Sequence, residues 1–299
     1  MLTHVHASPV RPTRVVILGA HGFVARALAA KLTADQTPFI AISSRELDLT
    51  HPAAGQALAA QLQSTDAVIM TAALTPDKGR DTGTLIKNLR MAEQVAAALA
   101  VRPCAHLLYL SSDAVYDSRH PEVSGATPAA PGDLYGVMHL ARELALAQAA
   151  NQQGIPFCVL RPCAIYGAGD THNSYGPNRF IRTALAECKI RLFGAGEETR
   201  DHVCIDDVIG LTAQVLGHQS TGVLNLISGQ SVSFAQLAAD IRRLLGGSIA
   251  IESLPRSGSV VHRRFDSHSL QQAFPAHTPI PLAKGIAQTI ADLNRNQPR

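Results

Sequence analysis

Short apolar runs alternate with longer segments in which alanine and leucine recur at helical spacing, and the alternation is strict up to about residue 162. Val15-Val16-Ile17-Leu18 is a continuous apolar run of the kind a strand buried on both faces requires, and Gly19 and Gly22 separate it from an Ala/Leu-rich helical pattern. The pattern predicts strands at 15–18, 39–43, 66–71, 106–111 and 157–160, with helices at 22–34, 52–62, 81–100 and 134–151. Serial strand-helix units imply a parallel sheet with helices on both faces, because each right-handed crossover needs a covering helix. Past Arg161-Pro162, Gly167, Gly169, Gly176 and Pro177 crowd together and the strict alternation ends. Helices are expected there at 178–188, 205–216, 233–245 and 282–294, and strands at 190–193, 223–227 and 249–253. The fold class is therefore α/β, a Rossmann-type doubly wound parallel sheet at 1–165 with a smaller C-terminal lobe at 166–299. Segments such as 205–227 are candidates to return to the first domain.

Composition narrows the function more than the fold. A chain of 299 residues, 46% hydrophobic, buries a substantial core. The net charge of +3 comes without a basic block or an interleaved aromatic stripe, which sets nucleic acid aside. Apolar runs fall short of the eighteen or so residues of a membrane span, and the lead-in before residue 14 reads as a polar, proline-containing flexible arm carrying His4 and His6. A cytoplasmic address is the expectation. The five cysteines have no C-x-x-C pair and the thirteen histidines no H-E-x-x-H spacing, so reduced thiols and no metal are expected.

Candidate chemistry begins at the glycine turn. Its spacing is G-x-x-G-x-x-A, in which Gly19 ends the strand sharply, Gly22 admits a ligand to a helix N-terminus, and Ala25 is small enough for close packing. A dinucleotide diphosphate fits such a turn, with Gly19, His21, Gly22, Phe23 and Val24 around it. At the end of the second strand, Ser43, Ser44 and Arg45 stand where a carboxylate would bind ribose hydroxyls, which favours NADP over NAD; Arg45 as a plain surface charge is the alternative. Asp48 either caps the helical stretch 52–62 or meets the adenine amino group. Ala72-Ala73 are small enough for a cofactor to lie against their backbone. Ser111-Ser112-Asp113-Ala114-Val115-Tyr116 and Tyr135-Gly136-Val137-Met138-His139 sit where ligands of open α/β sheets bind, and a phenol with a serine beside it suits hydride transfer at a carbinol or ketone. Asp206 and Asp207 read as helix caps, and Tyr166 as a loop-shaping residue.

At these positions the chain resembles the extended short-chain dehydrogenase/reductase family, in its nucleotide-sugar epimerase/dehydratase/reductase group. The resemblance rests on G-A-H-G-F-V-A, S-S-D-A-V-Y-D, Y-G-x-x-x-L-A-R-E, L-R-P-C-A-I-Y-G and L-F-G-A-G-E-E-T-R-D-H-V-C-I-D-D-V. It implies a hydride passing between bound NAD(P) and a sugar carbon, as in 4-epimerisation or 4-keto reduction. Ser112 and Tyr135 are then the catalytic pair, Asn88 lies near the nicotinamide, Asp48 meets the adenine, and a homodimer is expected. The substrate, a nucleoside-diphosphate sugar, is assigned Asp113, Asn178, Arg200 and Arg256, with Arg200 on its diphosphate. Asp113 followed by Ala114 instead of Glu disfavours dehydration. His139 departs from the family's Y-x-x-x-K: a lysine there holds the nicotinamide ribose and acidifies the tyrosine, whereas an imidazole of pKa about 6.5 is largely neutral at pH 7. The alternative is a catalytically weakened dinucleotide-binding or regulatory protein of the same fold.

Overall fold

The run Arg14–Leu18 forms β1, and in the computed structural model, which describes residues 2–246, 248–256 and 258–295, it lies inside a six-stranded parallel sheet. The chain continues through α1 (Phe23–Ala34), β2 (Phe39–Ile42), α2 (Ala54–Ala59), β3 (Asp66–Met70), α3 (Thr82–Val101), β4 (His106–Leu110) and α4 (Leu134–Gln152). Across the sheet the order is Gly222–Leu226, Phe157–Pro162, β4, β3, β1, β2. The strand order therefore reverses direction between β1 and β3, and that switch point is where open α/β sheets leave a ligand crevice at the strands' carboxyl ends. Val15 to Leu18 and Ala67 to Met70 are buried, as their unbroken apolar runs require. Asp81 and Asp133 cap α3 and α4 by accepting from Thr84 N at 2.7 Å and Gly136 N at 2.8 Å, each cap worth about 1 kcal/mol.

Two compact units result. One comprises residues up to 117, 125–162 and 209–226; the other comprises 118–124, 163–208 and 227 onward. The second unit holds a three-stranded sheet ordered Ser231–Ser233, Thr199–Cys204, Ala164–Tyr166, and two strand pairs, Lys189–Phe193 with Ala250–Leu254 and Glu122–Val123 with Arg264–Phe265. Its core gathers Tyr166, Phe180, Ile181, Leu237, Ile241 and Ile286. Of these strands only the 190–193 and 249–253 pair is visible in the apolar pattern.

The N-terminal arm corrects the sequence expectation of a flexible lead-in. Thr3 and Thr221 exchange backbone hydrogen bonds at 2.9 and 2.7 Å, Val10 N donates to Gly217 O at 2.8 Å, and the His4 ring stacks on His218 at 4.5 Å. Three histidines are buried elsewhere. Burial pushes His106 down to about 4 and His202 to about 3, and holds His139 well below its ordinary value. All three are neutral in the fold, whereas the unfolded chain protonates them below about pH 6.5. Their contribution is complete above pH 6.5 and is lost as pH falls towards the folded values, by about 2 kcal/mol per histidine at pH 5. Urea midpoints are thus expected to drop between pH 6.5 and 5, above the window in which carboxylates titrate; a flat profile there would contradict the neutral, buried histidines.

Candidate active site

Gly19 leaves β1 with φ of 105°, and a Cβ there would stand 2.8 Å from both N and Cα of Ala72 and 3.0 Å from Thr71 Oγ1. Only glycine fits the turn, because the switch point brings the end of β3 against it. Gly22 opens α1 with no side-chain cap, so the first-turn N–H groups and the positive end of the helix dipole are offered to an anion. His21 and Gly22 are exposed; Phe23 and Val24 bury their side chains, which leaves their backbone for a ligand.

The end of β2 holds a carboxylate that the sequence reading did not assign. Glu46 Oε2 accepts from Ser43 N and Ser43 Oγ, both at 2.8 Å, and these bonds keep its pKa low. Ser43 is buried beneath it, while Ser44 and Arg45 are exposed. Asp48 is also exposed, with Oδ1 accepting from Thr50 N at 2.9 Å and Thr50 Oγ1 at 2.8 Å; it closes its own turn and does not cap α2, whose N-cap position is Ala53.

After β3, Ala72 and Ala73 lie half-buried, and Asn88 fixes the strip that follows. Its Oδ1 accepts from Leu74 N at 2.9 Å, and its Nδ2 donates to Leu74 O and Thr84 O at 3.0 and 3.1 Å. Assigned from the sequence to the nicotinamide end, Asn88 is fully engaged with protein and acts by holding this loop to α3.

Ser112, Tyr135 and His139 come together at the end of β4. Ser112 caps the short 3-10 turn Asp113–Val115 through Ala114 N at 3.1 Å. The start of α4 presses against that turn: a Cβ on Gly136 would meet Ala114 O at 2.1 Å, so Gly136 is what lets Tyr135 approach Ser112. Burial, then the Asp113 charge, pushes the Tyr135 phenol up to about 12, while Ser112 and Arg142 pull in the other direction. Tyr135 is half-buried and lines a cavity of about 120 Å³ with Leu74, Asn88 and Met138. His139 is buried beneath the Tyr135 ring edge, centroids 4.7 Å apart. The Tyr109 hydroxyl lies 2.6 Å from its Nδ1; donation along that bond leaves the hydrogen on Nε2, a buried atom with no hydrogen-bond partner among the described residues. Burial and then the Arg142 charge lower the imidazole pKa, so His139 is neutral and is not a replacement cation for the family's lysine.

Three buried charged side chains behind these residues, Arg142, Glu143 and Arg161, went unassigned in the sequence. Arg142 reaches from α4 to Ala72 O at 2.6 Å, and Glu143 joins Arg161 at 2.5 Å while accepting from Ser111, the residue before Ser112. Their only sequence signal was membership of the L-A-R-E and L-R-P motifs.

Within the second unit the proposed substrate residues have protein partners. Asn178 accepts from Gly167 N at 3.1 Å and donates to Asp170 at 2.8 Å, closing its own loop. Arg200 donates to the carbonyls of Thr199 and Val261. Arg256, assigned from the sequence to the substrate, is ion-paired to Glu197 and Glu198 at 2.8 and 3.2 Å, which ties together segments of this unit. Asp207 lies in the first turn of helix Ile205–His218 and accepts from Ile280 N at 2.9 Å, a tertiary clasp where the sequence suggested a cap. Among the described residues no group of three or more His, Cys, Asp or Glu is placed to hold a metal, and no helix is long and apolar enough to cross a membrane.

Residues 15–226 match the family model described as the NAD dependent epimerase/dehydratase family. A UDP-glucose 4-epimerase of Mycolicibacterium smegmatis is 29% identical over 216 residues, 70% of this chain and 67% of that one. Among solved structures, MoeE5 in complex with UDP-glucuronic acid and NAD aligns with a TM-score of 0.83 at 22% identity, covering 95% of this chain and 100% of the other. A GDP-L-fucose synthetase from Naegleria fowleri aligns with a TM-score of 0.85 at 14% identity, covering 98% and 97%. The six-stranded sheet and smaller sheets are the fold of these proteins.

Proposed function

Because the chain belongs to the NAD-dependent epimerase/dehydratase family, we propose that it is a nucleotide-sugar epimerase or 4-keto reductase in which Tyr135 moves the proton of a sugar hydroxyl. The observation that carries this reading is the meeting of Ser112 and Tyr135 at the end of β4, in the sheet whose switch point is the Gly19–Ala72 approach. Bound NAD(P) would supply the hydride acceptor and donor. The uncapped start of α1 suits its diphosphate, the small Ala72-Ala73 strip suits a flat ring, and the orphaned Nε2–H of His139 suits a ribose hydroxyl. Ser112 would hydrogen-bond the same sugar oxygen that exchanges a proton with Tyr135. Asp113, next to them, belongs to the proposed substrate set, and the working unit would be a homodimer.

Of the two cofactors, NADP is the one the end of β2 favours. The Arg45 guanidinium is exposed and has no ion-pair partner among the described residues, whereas the Glu46 carboxylate is turned back onto Ser43. Arg45→Ala should then weaken NADP binding and leave NAD binding nearly unchanged.

The experiment is incubation of the purified protein with UDP-, GDP- and dTDP-sugars and either cofactor, with products read by NMR. Epimerised or reduced sugar is the expected result, and dinucleotide retained through purification would favour epimerisation, since that reaction returns the hydride. Absence of product from every pair across the pH range would overturn the enzyme reading in favour of a dinucleotide-responsive binding protein.

A further inference from the structure

Arg142 has no exposed surface, and no carboxylate pairs with it among the described residues. It lies seven residues after Tyr135 and three after His139, on the same face of α4, and helical side chains lean towards the N-terminus, which directs the guanidinium back along that face. Nη2 donates to Ala72 O at 2.6 Å, Nη1 to Asn88 Oδ1 at 3.3 Å, and the sulfurs of Met70 and Met138 stand 3.2 and 3.5 Å away. The guanidinium carbon sits 5.0 Å from the centre of the Tyr109 ring, and the hydroxyl of that ring is bonded to His139. Glu143, the adjacent residue, is engaged with Arg161 and Ser111. Burying a cation among methionines, a tyrosine face and neutral oxygens is costly unless something in the site uses its charge.

We propose that Arg142 is the fixed cation of this active site, a positioning residue that stabilises the Tyr135 phenolate from beneath the Tyr109–His139 layer, while His139 remains a neutral spacer. The inference rests on the reading of Tyr135 as the proton carrier. An imidazole loses its charge above about pH 6.5, where a phenolate is wanted; a guanidinium keeps its charge at every working pH. The other groups facing Tyr135 cannot supply it. Ser112 is a neutral donor, and Asp113 from the loop after β4 and Asp133 from the start of α4 both oppose ionisation; Arg80, on the rim of the same cavity, is exposed to screening by water and sits next to the Asp81 carboxylate. The groups facing Arg142 from β3, α3, β4 and α4 are Met70, Asn88, Tyr109, Met138 and His139, none of them ionised in the fold; of the two phenols that feel its charge, Tyr109 is fully buried and bonded to His139, and Tyr135 is the one that lines the cavity.

The test is a ¹⁹F NMR titration of protein in which tyrosine is replaced by a fluorinated analogue that ionises nearer neutrality, with the Tyr135 resonance assigned through Tyr135→Phe. Arg142→Gln and Arg142→Met are expected to raise the Tyr135 midpoint by about one pH unit, a tenfold change in ionisation constant. Arg142→Lys should recover at least half of that shift, and His139→Gln should move the midpoint by only a few tenths. Should the neutral variants fail to fold, Met138→Glu places a counter-ion four residues before Arg142 and should raise the midpoint similarly, with Met138→Gln as the neutral control. An unmoved midpoint in folded Arg142→Gln or in Met138→Glu would overturn the proposal. A shifted midpoint in a protein that turns over no nucleotide sugar would leave Arg142 as the phenolate's cation and remove the enzymatic reading.

Discussion

Glu143→Gln is expected to lower the unfolding free energy by about 3–5 kcal/mol, because it strands a buried cation. Arg161 binds the carboxylate with two prongs, Nε to Oε1 at 2.9 Å and Nη2 to Oε2 at 2.5 Å, and neither partner has much contact with water. The third guanidinium nitrogen, Nη1, donates to the Tyr116 hydroxyl at 3.0 Å, which donates in turn to Asn225 at 2.7 Å. One network thus joins α4, strand Phe157–Pro162, strand Gly222–Leu226 and the Ser111 hinge beside Ser112. A glutamine keeps one acceptor but removes the charge that neutralises Arg161. Arg161→Met should cost a similar amount by isolating the carboxylate, and the double variant Glu143→Gln/Arg161→Met should cost less than either single change, because it leaves no charge stranded. Urea denaturation of the four proteins measures the cycle; a loss below about 1 kcal/mol for Glu143→Gln would show that the pair is not the internal tie described here.

The first unit was legible because its signals are local. A strand buried on both faces must be apolar throughout, and the β1 turn must carry glycine where Ala72 leaves no room for a Cβ, so residues 15–34 announce themselves. Thr199–Cys204 gives no such sign. Its Asp201 and His202 are buried because Ser228, Gly229 and Cys163, far away in sequence, supply the hydrogen bonds of the carboxylate, and because Phe234 packs on the imidazole. The N-terminal arm pairs through backbone atoms, which leave no trace in side-chain pattern.

The candidate site was legible to a similar degree. Ser112, Tyr135 and His139 were found through motif and helical spacing, and the structure brings them together. Polarity alone does not reveal whether a side chain faces a ligand or another part of the protein. Asn88, Asn178 and Arg256 were read as ligand contacts, and in the fold each is also bonded to protein, to Leu74, to Asp170 and to two glutamates respectively. Arg142 failed in the opposite sense. In an alanine-rich helix it looks like a solubilising surface charge, and only the packing of β3, α3 and β4 around it shows otherwise.

Tyr135→Phe is expected to reduce turnover by about 10²- to 10⁴-fold, the usual contribution of a positioned acid/base group. The substitution removes one oxygen and keeps the ring edge against His139, so the fold and the affinity for cofactor should change little. Ser112 would still hydrogen-bond the sugar oxygen but has no comparable ability to release or accept its proton near neutrality. The pH dependence separates this role from a packing role. With the site empty, burial pushes the phenol up to about 12, so the oxidative rate in the parent protein should climb with pH through the alkaline range as the phenolate fraction grows. In the reductive direction the protonated phenol is the required form, and the rate should hold steady through neutrality. Neither profile should break near 6.5, because His139 is buried and neutral there. Tyr135→Phe should flatten the alkaline rise. Measured as kcat/KM against pH in both directions, a variant that keeps more than about a tenth of the parent rate, or the same alkaline rise, would remove Tyr135 from the proton's path.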